Sequence, residues 1–250
     1  MYSKLRFDKI LNRTTEQLLV SGRFVAGRDG KLTPGRQQGA FNSPWIFANY
    51  GGRNKFCGWW NEFYCGKFKV IPSHCRFACW KTVIKPRNLS ELFEVYAVLR
   101  MLDLPSKCGM DLRDYTYGPW AGFIYGDTLA IGRSYYARVR KLIPDEISII
   151  LKRGCTEMER MIPSDKWDDL NDHTEKEMIL NDRFSFDESQ SMFRQAEWTK
   201  ARVKERWIRH GIKIGDPTAR EVAERETGDP DIWNKLVVHS VTYHKEEKDE

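Results

Sequence analysis

Six cysteines stand at positions 57, 65, 75, 79, 108 and 155. Cys75 and Cys79 form one close pair, while Cys108 and Cys155 follow as distant singletons. Each of these four has a cation within two residues: His74 and Arg76 beside Cys75, Lys81 after Cys79, Lys107 before Cys108 and Arg153 before Cys155. Metal-bound thiolates carry negative charge, and neighbouring cations lower the thiol pKa and stabilise them. The expected metal ligands are therefore Cys75, Cys79, Cys108 and Cys155. Zinc usually draws on two close cysteine pairs, whereas a scattered set inside an aromatic-rich envelope suits a [4Fe–4S] cluster. The expected cofactor is such a cluster, with zinc as the alternative. Cys57 and Cys65 lie among Phe56, Trp59, Trp60 and Tyr64 and read as buried or reserve thiols, able to replace a weaker ligand pair. The plainer alternative is six unconnected core cysteines.

A second chemistry is written in charge. The net charge of +6 is unevenly spread, because residues 1–87 hold 16 Lys and Arg against 4 Asp and Glu. Residues 144–188 reverse this, with 6 basic against 13 acidic groups. A positive pole of that size attracts polyanions by releasing their counterions. Within it, residues 41–68 hold ten aromatics in 28 positions, interleaved with cations. The expected nucleic-acid contacts are Arg53, Lys55, Trp59, Trp60, Lys67 and Lys69, with rings stacking on bases. The competing readings are rings that dehydrate a core and a basic face that docks on an acidic protein partner. Asp111, Arg113 and Asp114 are weaker candidates for an active site. No Ser-His-Asp, HExxH or Walker pattern is present.

The elements that must position these groups begin at residue 79. Cys79–Lys85 is rich in strand formers and stops at Pro86. Asn88 or Ser90 caps a helix with Leu92, Tyr96, Leu99 and Leu102 at helical spacing. Cys108–Arg113 alternates as a second strand and Trp120–Tyr125 as a third. Thr128 caps a second helix, and Glu146–Leu151 closes the unit. The order is β-α-β-β-α-β, so the expected fold class is α+β with a ferredoxin-like core. In its 4-1-3-2 sheet, the starts of strands 1 and 2 and the end of strand 4 share one edge. That places the four ligand cysteines together, provided the Cys108 loop curls inward across the width of strand 3, about 4.8 Å per strand.

Two short stretches carry resemblances. Thr218–Gly228 resembles the first helix and turn of a helix-turn-helix over about 20 residues, but its glycine falls one place late. Its acidic residues would be repelled by phosphates, so it reads as a surface helical hairpin for protein contact. Gly122–Tyr125 loosely resembles the RNA-recognition sheet motif, with Phe123 and Tyr125 on one face. Packing beneath a helix is the favoured reading there.

The expected organisation is a basic aromatic-rich N-terminal extension (1–74), a metal-binding ferredoxin-like core (75–160), a mainly helical region (161–243) and a disordered tail (244–250). A helix is expected over Leu5–Leu19 and a longer one over Glu188–Arg209. No run of 18 apolar residues is present to span a membrane. The first eight residues lack a secretory pattern, so a reducing, cytoplasmic compartment is expected. The leading expectation is a metal-cluster protein that binds nucleic acid through its N-terminal face. The alternatives are an iron–sulfur redox or modifying enzyme and a structural subunit of a larger assembly, such as a viral one.

Overall fold

The protein, a computed structural model that describes residues 2–27, 29–34, 43–49, 60–185, 195–229 and 231–236, begins with helix α1 (Tyr2–Val20). Phe7, Leu11 and Leu18 are buried on one side of it, the pattern of an amphipathic helix. The antiparallel strands β1 (Phe24–Ala26) and β2 (Leu32–Pro34) follow, then β3 (Trp45–Phe47). Helix α2 (Trp60–Lys67) is wound as a π-helix, and the Phe68 N–H donates to the Phe63 carbonyl at 3.0 Å. Phe24, Phe63, Tyr64 and Phe68 join the α1 residues in one apolar core.

After the short helix α3 (Ser73–Phe77) the chain alternates strand and helix: β4 (Trp80–Lys85), α4 (Leu89–Leu102), β5 (Ser106–Met110), β6 (Trp120–Gly126), α5 (Leu129–Arg140) and β7 (Ser148–Arg153). Local signals start both helices. The Asn88 side chain accepts from the Glu91 N–H at 2.9 Å, and the Glu91 carboxylate accepts from the Arg87 N–H at 2.7 Å. Thr128 accepts from the Ile131 N–H at 3.2 Å.

The strands form a five-stranded sheet in the order β3-β5-β6-β4-β7, every neighbour antiparallel. The fifth strand, β3, comes from the stretch expected to lie outside the core. Gly109 admits it: at φ +155°, a Cβ there would stand 2.2 Å from the Pro44 carbonyl oxygen. The class is mixed α+β.

Beyond β7 come α6 (Thr156–Glu159), a 3₁₀ turn (Ser164–Asp169), α7 (Asn171–Arg183), α8 (Glu197–Ile214), α9 (Ala219–Thr227) and α10 (Ile232–Leu236). Ile46, Ile84, Cys108, Trp120, Ile124 and Ile149 point to one face of the sheet. They are buried with Leu92, Val95 and Leu99 of α4, Val139 of α5, Val203 and Trp207 of α8 and Val222 of α9. α9 is thus a core element rather than a detached hairpin, with Ala219, Val222 and Ala223 inward and Gly228 capping it in the left-handed region. Among the described residues no helix is long and apolar enough to cross a membrane.

Several expected boundaries move. The second strand begins at Ser106, so Cys108 sits at its centre and Leu112 lies beyond its end. The closing strand starts two residues late, at Ser148. The long C-terminal helix spans Glu197–Ile214. Residues 186–194 and the expected tail 244–250 lie outside the described residues.

Candidate functional site

Strand register builds the other face of the sheet. Lys107 on β5 pairs with Phe47 on β3 and with Phe123 on β6, and Phe123 pairs with Val83 on β4. One row along, Tyr125 pairs with Lys81, which pairs with Lys152 on β7. Since successive residues of a strand alternate faces, these side chains share the side that α4 and α5 leave to other elements. All of them except Val83 line a cavity of about 460 Å³, with Trp45 and Arg113 among its walls and Gly154, Cys155, Thr156 and Glu157 also lining it. Phe123 is buried there with Val83 and Ala121, with Trp45 and Tyr125 packed against them, on the side of the sheet opposite α4 and α5.

Rings and cations are interleaved in this cavity. Trp45 meets Phe123 edge-on at 5.5 Å, and Phe123 lies nearly parallel to Tyr125 at 6.5 Å. The Lys107 ammonium sits 4.4 Å from the Trp45 ring centre and the Lys81 ammonium 5.8 Å from that of Tyr125. Cation–ring contacts contribute about 0.5–1 kcal/mol at exposed sites and about 2 kcal/mol or more when desolvated, as at the buried Lys81.

The wall also holds Asp111, 3% exposed. Arg113 grips both its oxygens, Nε to Oδ1 at 2.6 Å and Nη2 to Oδ2 at 2.7 Å, and reaches Glu157 with its third nitrogen. Burial pushes the Glu157 carboxyl up, but its own N–H, Arg113 and Tyr115 outweigh burial and hold it below the usual carboxylate range. Lys85 lies 3.9 Å from Asp111, and burial lowers its pKa against that attraction. Both carboxylates are thus neutralised within the wall.

The thiols are sorted differently from the sequence reading. Cys108 lies apart from the other thiols: it pairs with Gly122 in the middle of the sheet, on the face that α4 covers, and is fully buried with Ile46 and Leu99. A strand slot with a fixed face leaves no loop to curl. Cys65, Cys75 and Cys155 belong to one apolar group with Ile71, Met158 and Trp167, and the Cys79 carbonyl accepts from the Gly154 N–H at 2.7 Å. Burial pushes Cys65 up to about 12 and Cys79 to about 11, and Cys75 well above its ordinary value. Cys155 raises all three further, while Lys81 opposes the rise at Cys75 and Cys79. At Cys108 burial alone raises the pKa, opposed by Lys204, and no other thiol acts on it. Among the described residues, no three His, Cys, Asp or Glu side chains are grouped to hold a single metal ion.

Of the expected nucleic-acid contacts, Lys67 and Lys69 are exposed; Arg53, Lys55 and Trp59 lie outside the described residues, as does the Trp60 side chain. Phe47 and Asn61, on either side of that stretch, both line the cavity. Within the aromatic run, Phe63, Tyr64 and Phe68 are core. Trp45, Lys107 and Lys152, which line the cavity, were not among the contacts expected from sequence, and Tyr125 was noted there only through a loose resemblance. Alternation in Trp120–Tyr125 was the available signal, and it shows a shared face without saying which one. No protein family, curated protein or solved structure matches this chain.

Proposed function

We propose that the protein binds single-stranded nucleic acid on the cavity face of its sheet, without strong sequence preference. Bases stack on Tyr125 and Trp45, and phosphates meet Lys107 and Lys152. The observation that carries this reading is the register, which sets Lys107 between Phe47 and Phe123 in one row and Tyr125 beside Lys81 and Lys152 in the next, all on one face. The basic N-terminal third, with exposed Lys67 and Lys69, extends the positive surface. Stacking of a base on an aromatic side chain contributes about 1–3 kcal/mol, and any base has a ring face to offer. The β-α-β-β-α-β core is read as ferredoxin-like, with β3 as an addition at its edge. The strand order β5-β6-β4-β7 and the placement of α4 and α5 on one face support that reading.

An enzyme using Asp111 as a base is the competing reading, since Asp111 and Arg113 line the same cavity. It is less well supported, because Arg113 occupies both oxygens of that carboxylate.

The test is fluorescence anisotropy with labelled oligo-dT and oligo-U over a salt series. Affinity should fall steeply with salt. The double variant Lys107→Gln, Lys152→Gln should flatten the log–log slope by about 0.7 per lost phosphate contact. A folded protein with no salt-sensitive affinity for either oligonucleotide defeats the proposal and passes the basic surface to an acidic protein partner.

A further inference from the structure

We infer that Cys65, Cys75, Cys79 and Cys155 hold an iron–sulfur cluster, and that Cys108 takes no part in it. Four separate segments deliver these thiols: α2, α3, the turn before β4 and the end of β7. Gly154 draws the last three together. It adopts φ +63°, and a Cβ there would stand 2.4 Å from the Trp167 ring and 3.3 Å from the Cys75 carbonyl oxygen. Its N–H holds the Cys79 carbonyl at 2.7 Å. Only glycine tolerates that approach in the left-handed region without strain. Cys65 arrives on a π-helix, a rare form enriched at functional sites. Its thiol donates to the Val70 carbonyl at 3.2 Å, a bond that ligation would exchange for one to iron.

Cations stand near these thiols, although Lys152 is also paired with Glu159 and Glu157 acts on Cys65 in the opposite sense to Lys69. Lys81 places its ammonium 2.7 Å from the Cys155 sulfur. Lys152 also acts on Cys79, and Lys69 acts on Cys65. A cluster ligated by four thiolates is a net anion, and nearby cations are what stabilise it. The four thiols are free of disulfides. No three of the described side chains are grouped as one ion requires, whereas the ligands of a cubane surround a four-iron core and stand farther apart. Four thiols from four segments, with a single close pair, suit a [4Fe–4S] cluster better than zinc, which usually draws on two close pairs. Met158, Met161, Ile162 and Trp167 would give that cluster an apolar shell.

The experiment is anaerobic purification of the full chain from cells supplied with iron, with iron, zinc and acid-labile sulfide quantified and absorption recorded at about 400 nm. The expected result is a brown protein with matching iron and sulfide. Cys65→Ala, Cys75→Ala, Cys79→Ala and Cys155→Ala should each lose the iron, and Cys108→Ala should keep it. Zinc in place of iron overturns the proposal, as does a colourless metal-free protein. Iron loss on Cys108→Ala, or full retention in any of the other four, overturns the ligand set. Because an alanine variant can fail to fold, the loaded wild-type protein is also treated with maleimide before and after a chelator strips its iron. Labelling mapped by mass spectrometry should rise at the four ligand cysteines on stripping; labelling that does not rise there sinks the assignment.

Discussion

The two faces of the five-stranded sheet are built from alternate residues of the same strands, yet they do different work. On one face Ile46, Cys108, Ile124, Ile84 and Ile149 disappear under four helices. On the other, Phe47, Lys107, Phe123, Tyr125, Lys81 and Lys152 line a cavity. The first face is apolar because helices remove it from water, and each buried side chain contributes roughly 1.5–3 kcal/mol for that transfer. The second carries Lys81, Lys107 and Lys152 among its rings; Lys81 is itself buried, its ammonium 2.7 Å from the Cys155 sulfur, while Lys107 and Lys152 stay half-buried. The difference teaches that a charged side chain in a central strand, such as Lys81 in β4, needs a polar partner on its own face, because an ammonium is costly to bury unpaired.

The largest expected effect tests the covered face. Trp207 is fully buried, donates from its indole to the Pro44 carbonyl at 2.8 Å and meets Phe93 edge-on at 5.6 Å. Trp207→Ala should cost about 3–5 kcal/mol of stability, read as a lower urea midpoint, while the protein that remains folded keeps its oligonucleotide affinity. A variant that lost affinity but not stability would break the comparison.

Next come the rings of the cavity. Tyr125→Ala and Trp45→Ala should each weaken binding by about 1–3 kcal/mol, with a smaller shift in the urea midpoint than Trp207→Ala. Equal losses of stability across all three variants would mean that the second face is packing as well.

The smallest effect is in pH. His210 on α8 stands edge-on to Trp120 at 5.5 Å, and burial, aided by Lys213, holds its pKa below the ordinary histidine value. Burial does the same to His173, whose Nδ1 accepts from the Ile71 N–H at 2.9 Å. The unfolded chain therefore takes up protons before the folded protein does. Stability is complete above the ordinary histidine pKa of about 6.5 and is lost as pH falls from there through the lowered values. Urea midpoints should drop on acidification, and His210→Gln should shrink the drop. Lysine ammonium groups keep their charge in this range, so the salt slope of oligonucleotide binding should stay constant. A slope that tracked the histidines would tie the two faces together.

Much of the fold was legible in sequence because its punctuation is local. Asn88, Thr128, Pro86 and Pro105 act on residues within a turn of themselves, and α4, α5, β4 and β6 fall where those signals place them. β3 was not legible: a three-residue strand has too short a period to announce itself, and it exists because Gly109 leaves room for Pro44. The candidate site divides in the same way.

The sequence by itself determined which residues alternate: Phe123 with Tyr125, Lys81 with Val83, Lys107 opposite in sense to Cys108. It also determined the lysine-rich, cysteine-rich composition near residues 65–81 and 152–155. Only the tertiary structure decided which face of the sheet the helices would cover, and with it that Cys108 is core while Lys107 lines the cavity. Only the tertiary structure brought Cys65 to Cys155, ninety residues on. The physical reason is that alternation and capping act between chain neighbours, whereas face and partner are set by which apolar surfaces bury one another, and those contacts join residues that no spacing along the chain relates.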